Sequence, residues 1–260
     1  MKLEVIERKY VAEPRGTIVL VHGACFAAWC WEENLLPFFA EAGYQVKAMS
    51  LRNHGGSDHL GSLKFRRIRE YVDDLRQIVA TCEGPVYLLG HSMGGFVIQH
   101  FLNQSPELAA KAILVCSIPP HGVWRLTLKT MLNYPLVFLK ANLTWSLKPV
   151  FGTVDRCNRY IFSGQESQDR AAQVLSRMQD ESFLSYLDTL ILDLPTKPNH
   201  KVPVMVVGGE VDFLFNHKDV QATARAYGVE PVWVANGSHN WFMQEGWELT
   251  AEKMVEWLRN

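Results

Sequence analysis

The sequence predicts an α/β fold: a mostly parallel sheet with helices on both faces, interrupted by one helical insertion. Three observations lead there. Short apolar, β-branched runs alternate with helical patterns through the first 118 of 260 residues. Most of these runs lack strict apolar–polar alternation, as expected of parallel strands covered on both sides. The alternation stops near Pro119-Pro120 and resumes only after Pro195, with no convincing buried strand between.

The elements follow in order. Residues 3–11 alternate and read as an edge strand; residues 17–21 form a β-branched run ending at His22-Gly23. A helix pattern covers 31–42 and closes at Gly43, and a strand follows at 46–50. A helix at 71–82 ends before Gly84-Pro85, a buried strand lies at 86–89, a helix at 94–103 and a strand at 112–116. After the insertion come a strand at 204–207, a helix over 223–227, a strand at 232–235 and a last helix at 247–258. The division is therefore a core of residues 1–118 and 195–260 and a helical cap of 119–194.

Composition narrows the function classes. Hydrophobic residues make up 48% and charged residues 20%, with a formal net charge of −1. That balance fits a folded globular domain and gives no field suited to nucleic acid. The basic cluster Lys64, Arg66, Arg67 and Arg69 reads as a solvated face. Five cysteines without a CxxC fit reduced thiols and a cytoplasmic setting. The N-terminal stretch is charged and alternating, so no signal peptide is expected there. The apolar stretch 137–150 is too short and too interrupted to span a bilayer.

The chemistry centres on Gly90-His91-Ser92-Met93-Gly94, a G-x-S-x-G between an apolar strand and a helix pattern. A sharp strand-to-helix turn projects the serine hydroxyl above the sheet, over a helix N-terminus that favours negative charge. A serine hydroxyl needs a base. Of nine histidines, His239 sits directly after the last strand, where it reaches across the sheet edge. His217 is the rival. Asp212, after the strand at 204–207, is the acid that orients the imidazole, with Glu210, Asp219, Asp188 and Asp193 as alternatives. Two backbone N–H groups must meet the oxyanion. Met93 supplies one, and Ala24 of His22-Gly23-Ala24 the other, with Cys25 as its alternative.

These residues together resemble the α/β-hydrolase superfamily. The resemblance covers essentially the whole chain and implies a mostly parallel eight-stranded sheet with a helical cap. The stretch VHGACFAAWCW is similar to the loop of plant methylesterases and hydroxynitrile lyases, which implies an oxyanion donor at Ala24. The stretch from Leu51 to Asp58 resembles the R-G-H-G-x-S loop of monoacylglycerol lipases and lysophospholipases, with Asn53 replacing a glycine.

The expected activity is hydrolysis of a small, largely apolar carboxylic ester through an acyl-enzyme on Ser92, with no cofactor. Within the cap, Trp124, Leu128, Met131 and Phe138 are the expected substrate contacts, and part of this apolar surface could touch lipid. The alternatives are methylesterase or hydroxynitrile lyase-like chemistry, or a ligand-binding receptor with little turnover. Cys25 lacks the elbow that a nucleophile requires. His54, Asp58 and His59 have a spacing that hints at a metal but read as a solvated loop, so no metal is expected.

Overall fold

The computed structural model describes residues 1–260. Seven strands form one sheet: β1 (Val5–Arg8), β2 (Thr17–Val21), β3 (Gln45–Met49), β4 (Val86–His91), β5 (Lys111–Val115), β6 (Val204–Gly209) and β7 (Val232–Val234). Their spatial order is β1-β3-β2-β4-β5-β6-β7. β1 runs antiparallel to β3, and every other pairing is parallel. The eight strands implied by the resemblance are corrected to seven. Residues 9–16, with Pro14 and Gly16, turn from β1 straight into β2 and add no strand at that edge.

All five side chains of β2 are buried, and they point alternately into two cores. Val19 and Val21 join one cluster, Ile18 and Leu20 the other. The first cluster lies under α2 (Ile68–Val79), α3 (Met93–Gln104) and α10 (His217–Tyr227); the second lies under α1 (Leu35–Glu41) and α11 (Glu248–Arg259). A strand covered on both faces has no use for polar alternation, which is why the sequence shows none.

The helix boundaries have local causes. The helix read over 31–42 opens as a 3-10 turn at Ala28–Trp31 before α1 begins. α2 starts three residues ahead of the predicted 71 because the Glu70 carboxylate accepts the Arg67 N–H at 2.8 Å, closing its first turn. α10 reaches back to His217 because Asn216 caps it and Asp219 accepts the Asn216 N–H at 3.2 Å.

Between β5 and β6 the chain is helical: α4 (Trp124–Asn133), α5 (Pro135–Thr144), α6 (Lys148–Phe151), α7 (Val154–Phe162), α8 (Gln168–Arg177), α9 (Phe183–Leu187) and a π-turn at Asp188–Leu192. This segment is tied to the sheet's C-terminal edge by backbone bonds, Gln179 N–H to Cys25 O at 3.0 Å and Asn240 N–H to Ile161 O at 3.0 Å. No helix is long and apolar enough to cross a membrane.

Candidate active site

Ligand sites of parallel sheets lie beyond the carboxyl ends of the strands, and here the predicted residues gather there. Ser92 follows β4 with φ 52° and ψ −115°, a left-handed conformation costing about 1–3 kcal/mol for a residue with a side chain. The surrounding packing enforces it. A Cβ on Gly94 would run into the Val21 carbonyl oxygen, so only glycine lets α3 approach β2 this closely. The Ser92 N–H donates to Val115 O at 3.0 Å, and Ser92 O accepts from Phe96 and Ile118.

His239 follows β7 and is buried. Its Nδ1 lies 2.8 Å from Asp212 Oδ2. Asp212 Oδ1 accepts the N–H groups of Leu214 at 2.7 Å and Phe215 at 3.1 Å, so the carboxylate is held at both oxygens. That arrangement places the proton on Nδ1 and leaves Nε2 free. Ser92 and His239 line one cavity but make no hydrogen bond to each other here. Such contacts are often long in an empty site and tighten around substrate. His91 packs against His239 with ring centroids 4.6 Å apart and bonds its backbone oxygen through Nε2 at 3.1 Å. Burial, with the His239 ring beside it, holds His91 well below the ordinary histidine range.

The loop after β2 is fixed from two sides. His22 Nδ1 lies 2.8 Å from Gly23 O, and its Nε2 accepts the Leu51 N–H at 3.1 Å. This pairing requires a neutral ring protonated on Nδ1. Burial and neighbouring His54 agree, pushing His22 down to about 3. Ala24 and Met93 line the cavity beside Ser92, and neither backbone N–H is bonded elsewhere in the chain. Cys25 is buried with φ 69°, and burial and the Glu181 charge raise its thiol well above the usual range. It is therefore no thiolate nucleophile near neutrality.

A second histidine–carboxylate pair stands behind this loop. Glu181, between α8 and α9, accepts from His54 Nε2 at 3.0 Å, Tyr71 OH at 2.8 Å, Cys25 N–H at 3.2 Å and its neighbour Ser182 N–H at 2.7 Å. His54 Nδ1 lies 2.9 Å from Arg52 O. Both ring nitrogens face acceptors, so both carry protons and His54 is an imidazolium. Burial opposes the charges, but each partner stabilises the other. His54 is raised, and Glu181 is held down to about 2. No sequence pattern marks Glu181, which lies 127 residues from His54. The one clue was His54 within the stretch 51–58. In place of the usual glycine, Asn53 adopts φ 63°, a conformation asparagine tolerates.

The cavity holds about 120 Å³ and is walled mainly by apolar side chains. The core contributes Ala24, Phe26, Met93, Ile118, Leu214 and Phe215; the insertion roofs it with Leu126, Phe138, Ala141, Leu147, Phe151, Ile161 and Phe183. Roof hydroxyls pair with one another, Thr127 with Tyr186 at 3.0 Å and Thr130 with Tyr160 at 3.2 Å. Of the four cap residues expected to contact substrate, Phe138 lies in this wall. Trp124, Leu128 and Met131 are corrected: they are exposed on the outer side of α4, because its inward face is taken by Leu126, Thr127 and Thr130.

The chain belongs to the α/β-hydrolase family. The family model described as "Alpha/beta hydrolase family" matches residues 18–253. Norfluorocurarine synthase 1 of Strychnos nux-vomica is 32% identical over 140 residues, 53% of this chain and 48% of that protein. Polyneuridine aldehyde esterase of Rauvolfia serpentina is 31% identical over 118 residues, 45% of this chain and 44% of that protein. The matches thus span about half the length of these curated relatives. The monoacylglycerol lipase of Paleococcus ferrophilus superposes with a TM-score of 0.70 at 17% identity, over 99% of this chain and 98% of that one. At that identity the likeness is one of fold.

Within this α/β-hydrolase, the rival residues are engaged elsewhere. His217 is exposed at the start of α10. Asp219 faces His121 at 3.2 Å, and Asp188 takes the Arg67 guanidinium at 2.8 Å. Asp58 accepts the Lys2 N–H at 2.7 Å, away from the His54–Glu181 pair. Cys116, Asp212 and His239 could bring three ligand atoms within 4.8 Å of one another. Burial first, then the Asp212 charge, raises the Cys116 thiol well above its usual value, so it is a poor metal ligand near neutrality.

Proposed function

We propose that this chain is a serine carboxylic-ester hydrolase acting on a small, largely apolar ester. The observation that carries the reading is the meeting of the strained Ser92 and the Asp212-oriented His239 at one apolar cavity. Ser92 Oγ attacks the ester carbonyl while His239 Nε2 takes its proton. The Ala24 and Met93 N–H groups hold the oxyanion. His239 then protonates the leaving alcohol, and a water activated by the same nitrogen releases the acid. Asp212 keeps the proton on Nδ1 and steadies the imidazolium formed between steps. Glu181, acting through Cys25, holds the loop that carries Ala24.

The apolar wall supports an aliphatic or aromatic acyl group over a sugar or charged polymer. A methylesterase reading stands second, favoured by the VHGACFAAWCW stretch and by similarity to a protein named as an esterase.

An acyl burst with a nitrophenyl ester, abolished by Ser92→Ala, is the expected result. Tight ligand binding with no burst would replace this reading with that of a receptor. A panel of esters of rising acyl length, including monoacylglycerols and methyl esters of aromatic acids, separates the lipase-like from the methylesterase-like substrate class. The scheme requires a neutral imidazole as base, so activity should fall in acid, and a pH-independent rate would count against it.

A further inference from the structure

The helices that roof the cavity have a second apolar face, turned outward. α5 carries one charge, Lys140, in ten residues. Its inner side lines the cavity with Phe138, Ala141 and Asn142. On the outer side stand Leu136, Leu139 and Leu143, one helical face by their spacing, exposed by 80%, 53% and 74%. α4 adds Leu128, Met131 and Leu132, the last 70% exposed. Single exposed leucines need no explanation; a row across two adjoining helices does. α5 is also apolar on both sides, which is unusual for a surface helix.

Charge identifies what covers the row. Residues 119–154 contain Arg125, Lys129, Lys140 and Lys148 and no Asp or Glu. Lys129 turns inward to Phe213 O, and Arg125 lies 3.8 Å from Asp219. Lys140 and Lys148 are exposed and have no carboxylate partner. Lys64 completes the rim: its Nζ donates to Thr144 O at 2.7 Å, and adjacent Phe65 packs on exposed Trp145 with ring centroids 6.1 Å apart. A two-fold dimer through this face would set lysines against lysines. An anionic interface satisfies leucines, tryptophan and lysines together.

We propose that the outer face of α4 and α5, with Lys64, Lys140 and Lys148 at its edge, docks on an anionic lipid bilayer. The protein lies on the surface rather than spanning it. The same two helices form the cavity roof, so docking sets lipid one helix thickness, about 10 Å, from the cavity. The supply of apolar substrate from the bilayer rests on the ester-hydrolase reading; the docking itself does not.

Co-sedimentation of the full chain with vesicles tests this. One set contains phosphatidylcholine and phosphatidylglycerol in equal parts, the other phosphatidylcholine alone. Binding to the mixed vesicles is expected, with weaker binding to the neutral ones. Leu132→Ser/Leu136→Ser/Leu143→Ser should lower affinity for the mixed vesicles by about a hundredfold or more. It should leave the thermal transition and the hydrolysis of a soluble nitrophenyl ester unchanged, since none of the three lines the cavity. Lys64→Ala/Lys140→Ala/Lys148→Ala should cost about fivefold per lysine on anionic vesicles. Absence of binding to the mixed vesicles, or equal binding by the leucine variant, overturns the proposal. So does a dimer in light scattering that the leucine substitutions dissolve and vesicles do not. Vesicle binding without ester turnover would instead overturn only the catalytic reading.

Discussion

Two buried histidines each face a carboxylate: His239 meets Asp212 at 2.8 Å, and His54 meets Glu181 at 3.0 Å. They differ in the second ring nitrogen. His54 Nδ1 lies against the Arg52 carbonyl, which demands a proton there too. His239 Nε2 has no partner and its residue borders the cavity. A carboxylate neighbour therefore does not make a histidine a base. The free nitrogen does, and a histidine with two acceptors is a fixed cation.

The sharpest break of the comparison is His239→Ala. It should lower kcat/KM by about a millionfold, because it removes the base from the nucleophile. The urea midpoint should fall less than in Glu181→Gln, since Asp212 keeps its two backbone N–H bonds. Asp212→Asn comes next, about ten-thousandfold in kcat, since the amide favours the wrong tautomer on His239. Single-turnover assays with a nitrophenyl ester measure both. Equal losses from the corresponding changes at His54 and Glu181 would erase the distinction.

Glu181→Gln should show the opposite signature. Stability in urea should fall by about 3–5 kcal/mol, because the His54 cation loses its buried counterion. Turnover should drop only about ten- to a hundredfold, in kcat more than KM, as the Ala24 loop loosens. Unchanged stability with a large loss of kcat would move Glu181 into the chemistry.

The smallest effect is pH-dependent. His54 is raised by its partner, so its contribution is complete below the unfolded value and is lost as pH rises through the folded one. Glu181 is depressed to about 2, so its contribution is present above the unfolded value and is lost as pH falls toward about 2. Urea midpoints should decline on the alkaline side, and His54→Gln should remove that decline. An alkaline loss of equal size in the variant would assign it to another group.

The sheet was legible because a strand covered on both faces leaves a continuous apolar run, and β2, β4 and β5 are such runs. Ser92, Asp212 and His239 were legible because each follows a strand whose end the chemistry uses. Glu181 was not, since its partners come from β3's loop, α2 and the Cys25 loop, and only tertiary folding joins them. Trp124, Leu128 and Met131 misled for another reason. α4 and α5 are apolar on opposite sides, so periodicity cannot say which side turns inward.

Glu181 also sets the terms on which the insertion can be exchanged. A helical cap grafted from an α/β-hydrolase with no counterpart of Glu181 would arrive without the carboxylate that His54, Tyr71 and the Cys25 N–H await. Three donors, one of them a cation, would then be stranded in a dry interior. The roof of this chain is therefore no interchangeable cassette. Its compatibility with the loops at the sheet's C-terminal edge is written in one side chain, and a transplant has to carry that residue along or replace His54 and Tyr71 as a set.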